Sequence, residues 1–475
     1  MHANTPRGVT SPVARSLVVL VAMALCGGPL SAQVPDDDIT GLWAGSGEVA
    51  EFYWDLRKDG QGYDGVIHWV QDGKKQTELP VDRVIWRSPA LELHMNATGV
   101  VFRGTANVAE GRIAGRLFYG EEEGPEVELV STEPDQIPGL LARPADAPDY
   151  AYVRPVSLDD GWATADCRDV GLSHETVAHL VDAIAAGDAG VIHSLLLVVD
   201  GRLVVEEYFH GYGRDDLHRL ASVTKSVSSL LVGLAINEGE IAGVDEPLLS
   251  FFPALQQPAD DRWQSETLHD LLTMSMGLDW GADGGPHGTG PEFFQQVLER
   301  RVVHDPGTHW AYHSANVNLL AGVIKQASGQ HADVFAEEHL FGPLGITDYD
   351  WSFMAEDGYR LMDGSLHLRP RDMAKLGALL RSEGSWQGRK VVSADWIRES
   401  VTPHMTTDRT EKYGYLWWLT DFPGREGPEP MVLANGHGSQ FIAWLPQRDI
   451  VLVVTGGNED NGKHFAVLEV LARYL

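Results

Sequence analysis

A chain of 475 residues is too long for one ordinary hydrophobic core and implies two or three domains. Its 43% hydrophobic and 22% charged residues are the balance of a globular protein. A formal net charge of −32 repels nucleic acid and anionic lipid, which argues against both as partners, and otherwise keeps the protein soluble.

The N-terminus reads as an export signal. Arg7 and Arg15 flank the start of a short apolar run, Leu17 to Leu25, and Ser31-Ala32 offers a small-residue cleavage site before Gln33. Residues 1–32 are therefore expected to be a signal peptide, making the mature protein secreted or periplasmic. The run is too short for a comfortable anchor, and no later stretch is apolar enough to span a bilayer, so no stable membrane span is expected in the mature chain. Leu25 stands where a small residue would precede a lipid-modified Cys26, so no lipid anchor is expected there. Removing the signal leaves Cys167 alone, without a disulfide partner. Cys167 lies in a polar stretch with no evident base nearby, and no catalytic role is expected of it.

After Asp36-Asp37-Asp38, residues 39–132 carry short β-branched and aromatic segments separated by Gly, Asp and Asn. These are Glu51 to Leu56, Gly65 to Val70, Val84 to Trp86, Leu91 to Met95, Val100 to Phe102, Arg112 to Tyr119 and Val127 to Val130. Such spacing predicts a small antiparallel β barrel or sandwich. Gly41-Leu42-Trp43 resembles the Gly-x-Trp opening of lipocalin-like barrels, and Trp43 is expected to plug one barrel end.

Residues 133–157, with five prolines, read as a linker. Residues 158–475 suit one large domain. A helix is expected over Glu175 to Ala186, then a hairpin of Ser194 to Val199 and Leu203 to Phe209 around Asp200-Gly201. Near the C-terminus, Phe441 to Leu445 and Ile450 to Val454 read as strands and Phe465 to Tyr474 as a helix. Hairpins at both ends with helical segments between predict an α+β domain. Its antiparallel sheet is shared by the two termini and carries a helical insertion.

After the first hairpin comes Leu220-Ala221-Ser222-Val223-Thr224-Lys225-Ser226, followed to Asn237 by helical spacing, with Val223, Val227, Leu230, Leu231 and Leu234 on one face. Ser222 then sits at the helix N-terminus, where free N–H groups favour developing negative charge. Three residues is under one turn, so Ser222 and Lys225 can touch. A serine hydroxyl is a weak nucleophile until a neighbour takes its proton, and a desolvated lysine can do so. Taken alone, the pair also reads as an N-cap serine beside a solvated lysine. Among the lysines, only Lys225 has a serine three residues before it.

Further motifs are His269-Asp270-Leu271-Leu272-Thr273-Met274-Ser275-Met276-Gly277-Leu278, Pro306-Gly307 leading to Tyr312-His313-Ser314 and Asn318-Leu319-Leu320, Arg369 to Gly377, Tyr413-Gly414-Tyr415-Leu416-Trp417-Trp418, and Gly436-His437-Gly438-Ser439-Gln440. With the Ser222 segment they make the chain from about Leu158 onward resemble the serine β-lactamase-like family, in particular its class C branch with family VIII esterases and 6-aminohexanoate-dimer hydrolases. The resemblance implies that Tyr312 is the tyrosine of Tyr-x-Asn, relaying protons with Lys225. Ser314 replaces the Asn. His437-Gly438-Ser439 replaces the Lys-Thr-Gly strand, whose lysine offers a fixed charge to a substrate carboxylate. Gly438 would let that strand approach the substrate closely. The implied oxyanion hole pairs the Ser222 N–H with that of Ser439 or Gln440.

The resemblance implies a serine hydrolase acting on a small ester or amide substrate, without cofactor or metal. Alternatives are a β-lactamase or D-amino-acid peptidase on cell-wall material, and a binding protein on a hydrolase scaffold. Other motifs are weaker. His174-Glu175 and His179 miss zinc-protease spacing by one residue, and read as solvated helix residues. There is no G-x-S-x-G. Gly284-Gly285 and Gly288 read as loop, in an insertion from about Trp280 to Pro291 that is expected, with the β domain, to shape the pocket.

Overall fold

The computed structural model describes residues 38–46, 51–60, 62–281, 284–351, 357–425, 427–459 and 462–475. The expected signal peptide, with Cys26, lies outside them. Nine strands open the described chain: β1 (Gly41–Ser46), β2 (Glu51–Asp59), β3 (Gly62–Gln71), β4 (Lys74–Val81) and β5 (Arg83–Arg87). They continue with β6 (Ala90–Met95), β7 (Val100–Asn107), β8 (Arg112–Tyr119) and β9 (Glu122–Thr132). All pair antiparallel in the order β4-β3-β2-β1-β9-β8-β7-β6-β5, and the sheet curls until Asp82 N–H reaches His94 O at the β4–β5 corner. Its interior is lined by Trp54, Leu56, Leu93, Phe102 and Ile113, with the Trp54 and Phe102 rings edge to face. Trp43 is buried and its indole N–H bonds Ile39 O, as a barrel plug requires. Gly104 and Gly115 face each other on β7 and β8 under the Phe102 ring, where a Cβ on either would meet that ring at 2.6 Å.

Strand β4 has no counterpart among the expected segments. Lys75, Thr77, Leu79 and Val81 alternate as its buried face. Leu79 and Val81 enter the barrel core, whereas Lys75 and Thr77 meet the second domain, so half of the buried positions carry polar residues.

The second domain holds α1 (His174–Ala185), the hairpin β10 (Ile192–Val199) and β11 (Arg202–Tyr208), α2 (Val223–Asn237), α3 (Ser314–Ser328) and α4 (Pro370–Arg381). It closes with β12 (Met405–Thr406), β13 (Lys412–Tyr413), β14 (Trp418–Phe422), β15 (Glu429–Gly436), β16 (Gln440–Leu445), β17 (Ile450–Gly456) and α5 (Ala466–Tyr474). The antiparallel sheet runs β11-β10-β17-β16-β15-β14-β13-β12, so the early hairpin pairs with the last strand as expected. Every residue of β10 is buried: Leu195 and Leu197 face α1 and α5, Leu196 and Val198 face α2 and α4. No helix among the described residues is long and apolar enough to cross a membrane.

Helix α2 differs from the one-faced expectation. Val223 through Ala235 are all buried, so it is a central helix with α3 on one side and the sheet on the other. Its small polar residues satisfy themselves on neighbouring carbonyls: Ser226 Oγ donates to Leu416 O and Ser228 Oγ to Met362 O.

Candidate active site

Ser222 caps α2 without a side-chain capping bond, directly after Ala221 in a left-handed conformation (φ 46°). The sharp turn presents its hydroxyl to Lys225 instead of to the helix. Lys225 Nζ lies 2.8 Å from Ser222 Oγ and donates at 2.8 Å to Asp363 O. Lys225 is 2% exposed, and its hydrogen bonds among the described residues go to that hydroxyl and that carbonyl, not to a carboxylate. A buried amine whose neighbours are a hydroxyl and a carbonyl is placed to exchange a proton with that hydroxyl. Asp363 is held by both flanking helices, since its neighbour Met362 receives Ser228 Oγ on its carbonyl and gives its N–H to Asn318 Oδ1 on α3.

Tyr312 stands two residues before α3 at the edge of the same space. Lys225 Nζ sits 5.3 Å from its ring centroid. The ring is partly exposed and tilts against Trp418 at 5.6 Å, beside Trp310. The His269–Leu278 motif explains the placement: Ala311 N–H bonds Met274 O, Gly307 N–H bonds Ser275 O, and Leu416 N–H bonds Leu272 O. Beneath Tyr312, Tyr413 is fully buried, and burial followed by the Tyr312 charge raises its phenol well above the usual range. Ser314 is the first residue of α3, half-buried.

The segment expected as a strand differs. His437, Gly438 and Ser439 are the turn between β15 and β16, with Gly438 and Ser439 both at positive φ, and only Gln440 begins a strand. Gly436 makes a close approach to the nucleophile: a Cβ there would lie 2.3 Å from Leu220 O and 3.2 Å from Ser222 N. The Ser439 N–H, an expected oxyanion donor, is already bonded to His464 Nδ1 at 3.1 Å, and Ser439 is fully buried. Gln440 is buried too, its side-chain amide bonding the carbonyls of His437, Gly438 and Gly456. Both residues brace the turn. The N–H groups of Ser222 and His437 donate to nothing among the described residues, and the His437 ring is exposed. His464 Nε2 faces Asn435 Oδ1 at 2.8 Å, and burial, then the neighbouring His437, lowers the His464 imidazole to about 4.

The beta-lactamase family profile matches residues 177–470, more than half of the chain. The chain belongs to the beta-lactamase family. That places it among serine hydrolases. It is 26% identical over 286 residues to the 6-aminohexanoate-dimer hydrolase of Paenarthrobacter ureafaciens, covering 54% of this chain and 70% of that protein. It is 24% identical over 346 residues to the D-alanyl-D-alanine-carboxypeptidase/endopeptidase AmpH of Escherichia coli (strain K12), covering 63% of this chain and 88% of that one. A family VIII carboxylesterase structure superposes with a TM-score of 0.51 at 16% identity, over 64% of this chain and 99% of that one. The octameric penicillin-binding protein homologue of Pyrococcus abyssi gives 0.50 at 20% identity, over 63% and 76%. At such identity the structures share the fold.

Within this beta-lactamase-family domain, sequence reasoning missed Asp363, Asn458 and His464, and named Gly436 without its contact to Ser222. Asp363 acts through its carbonyl, which no side-chain pattern reports, and Gly436 needed only the absence of a side chain. The loop expected at Gly284-Gly285 is one: Trp280 stacks on His313 at 3.7 Å, and His313 Nε2 bonds Gly284 O. His174 departs from a solvated role, since its Nε2 bonds Asp166 at 2.9 Å and its ring packs on Tyr152. Cys167 lies nearby, buried. Arg168 and His174 already share the Asp166 carboxylate, which caps the short 3-10 turn Cys167–Val170.

Proposed function

We propose that this protein is an exported serine hydrolase that cleaves small carboxylic esters, with amides as a second substrate class, through an acyl-Ser222 intermediate. The observation that carries the reading is the 2.8 Å approach of Lys225 Nζ to Ser222 Oγ at a helix start whose own N–H is free.

In the proposed reaction Ser222 Oγ attacks the carbonyl carbon, and Lys225 Nζ accepts the hydroxyl proton. The new oxyanion takes hydrogen bonds from the N–H groups of Ser222 and His437. Collapse breaks the bond to the leaving oxygen, which receives the proton through Tyr312. Water then attacks the acyl carbon, Tyr312 and Lys225 take its proton, and Ser222 Oγ is reprotonated as the acid leaves. An ester of a neutral acyl group fits because the turn offers an exposed His437 where a lysine would hold a carboxylate.

A fluorophosphonate is expected to label Ser222, and a short-chain nitrophenyl ester to turn over, with both lost in Ser222→Ala. Equal labelling of the two proteins would sink the reading. The carboxypeptidase relative motivates a second one, hydrolysis of D-amino-acid peptides. Rapid D-alanyl-D-alanine cleavage with negligible ester turnover selects it. The absence of any covalent adduct selects a binding protein on a hydrolase scaffold.

A further inference from the structure

The barrel reaches the active-site turn through four successive contacts. Thr77, on β4, is 2% exposed, and its Oγ1 donates to Gly457 O at 2.6 Å. The fit is close: a Cβ on Gly457 would fall 1.9 Å from Gln76 O. The next residue, Asn458, gives its N–H to Gly438 O at 3.2 Å and its Nδ2 to Ser439 Oγ at 3.0 Å. It is locked by Val191 N–H on its Oδ1 and by Ala189 O on its Nδ2. Gln440 Nε2 ties Gly438 O to Gly456 O. Gly436, at the head of the turn, lies against the Ser222 amide.

The rest of the junction fixes β4 without touching the turn. Lys75 N–H bonds His210 O, Tyr212 OH bonds Gln76 Oε1, and Lys74 pairs with Asp216. A barrel serving only as a separate module would not need a buried threonine aimed at the segment that carries the oxyanion turn.

We propose that the N-terminal sheet acts on the active site through one residue, Thr77, a positioning residue that holds the His437–Ser439 turn in register with Ser222 through Gly457 and Asn458. This rests on the reading of Ser222 as nucleophile and deepens it. The inferred role is geometric. A shift of the 457–459 segment displaces the His437 N–H from the place where the oxyanion forms, which slows acylation more than it weakens substrate binding.

The test uses the full-length mature protein, with ester turnover normalised to sites titrated by fluorophosphonate. Thr77→Val is expected to lower kcat per titrated site about tenfold, roughly the worth of one well-placed hydrogen bond, with KM little changed. Thr77→Ser, which keeps the hydroxyl, restores the rate. Lys74→Ala loosens the same junction away from Gly457 and leaves kcat unchanged. Should Thr77→Val not fold, Thr77→Ala is measured in its place. An unchanged kcat in the threonine variants, or an equal loss in Lys74→Ala, overturns the inference while Ser222 stands. A wild type that does not label overturns the nucleophile assignment, and this inference with it.

Discussion

The backbone N–H of Ser439 donates to Nδ1 of His464 at 3.1 Å. That bond fixes the tautomer: Nδ1 accepts, so Nε2 carries the proton and donates to Asn435 Oδ1 at 2.8 Å. One neutral imidazole thus joins the end of the turn to β15, next to the Ser222 amide. His464→Ala leaves a fully buried N–H unpaired, at a cost of about 1–3 kcal/mol. Denaturant unfolding is expected to show that loss, with slower fluorophosphonate labelling of the folded protein. An unchanged midpoint together with an unchanged labelling rate refutes it.

Lys225→Met should separate activity from stability. The methionine keeps the length of the side chain and removes a buried amine that no carboxylate among the described residues offsets. Acylation is expected to fall by about 10²–10⁴-fold, the usual contribution of a positioned proton acceptor. The melting temperature is expected to hold or rise, because a desolvated polar group is replaced by an apolar one. A variant that loses activity only in proportion to its folded fraction would contradict the assignment.

The legible part of this protein is where side-chain chemistry and local spacing coincide. The Ser222–Lys225 spacing, the Asp200-Gly201 hairpin and the strands flanking Gln447 all act within a few residues, and the structure places them close to expectation. Strand β4 was hidden because Lys75 and Thr77, buried against the second domain, occupy half of its buried positions, which masks the alternation of hydrophobic residues. The His437 segment reads as strand only through its resemblance to the Lys-Thr-Gly element, whereas Asn435 to Ser439 is rich in glycine and polar residues and, with two residues at positive φ, turns. The engagement of the Ser439 N–H was hidden for a different reason. Whether an N–H is free depends on a histidine 25 residues later in the chain, and no local pattern reports that.

Gly436→Ala tests the approach of β15 to the nucleophile. Its methyl group would overlap Leu220 O at 2.3 Å, so strand or turn must move. Both walls are backbone within well-packed elements, so the shift carries the His437 and Ser222 amides apart. The expected outcome is a loss of labelling rate of about tenfold or more, from misplaced oxyanion donors, with the fold retained by circular dichroism. Full activity in the alanine variant would show that this contact does not set the catalytic geometry.

Acid sensitivity follows from buried imidazoles at the domain junction. Burial lowers His210 to about 3 and His218 to about 4, and drives His193 well below its ordinary value. His193 Nδ1 and His218 Nε2 share one hydrogen bond at 2.6 Å, which a second proton would break. With folded pKa values below the unfolded value near 6.5, the unfolded chain binds more protons between these limits. Their stability contribution is present above about 6.5 and is lost as pH falls toward 4. Urea unfolding at pH 7 and pH 5 is expected to show lower stability at pH 5. His218→Gln should flatten that difference, and an unaltered slope would assign it elsewhere.

Glu266 gives the opposite slope. Its side chain is fully buried, neither carboxyl oxygen has a partner among the described residues, and burial, with Asp270 nearby, raises it to about 9. A folded pKa above the unfolded one means that the native state holds a proton the unfolded chain releases. The stability it contributes is therefore complete below about 4.5 and declines as pH rises toward 9. Glu266→Gln keeps the shape and the neutral state at every pH. Its stability relative to wild type is expected to grow steadily between pH 5 and pH 9 in equilibrium unfolding. Parallel stability curves for the two proteins would mean that Glu266 is ionised in the fold and that water or a shifted neighbour satisfies it.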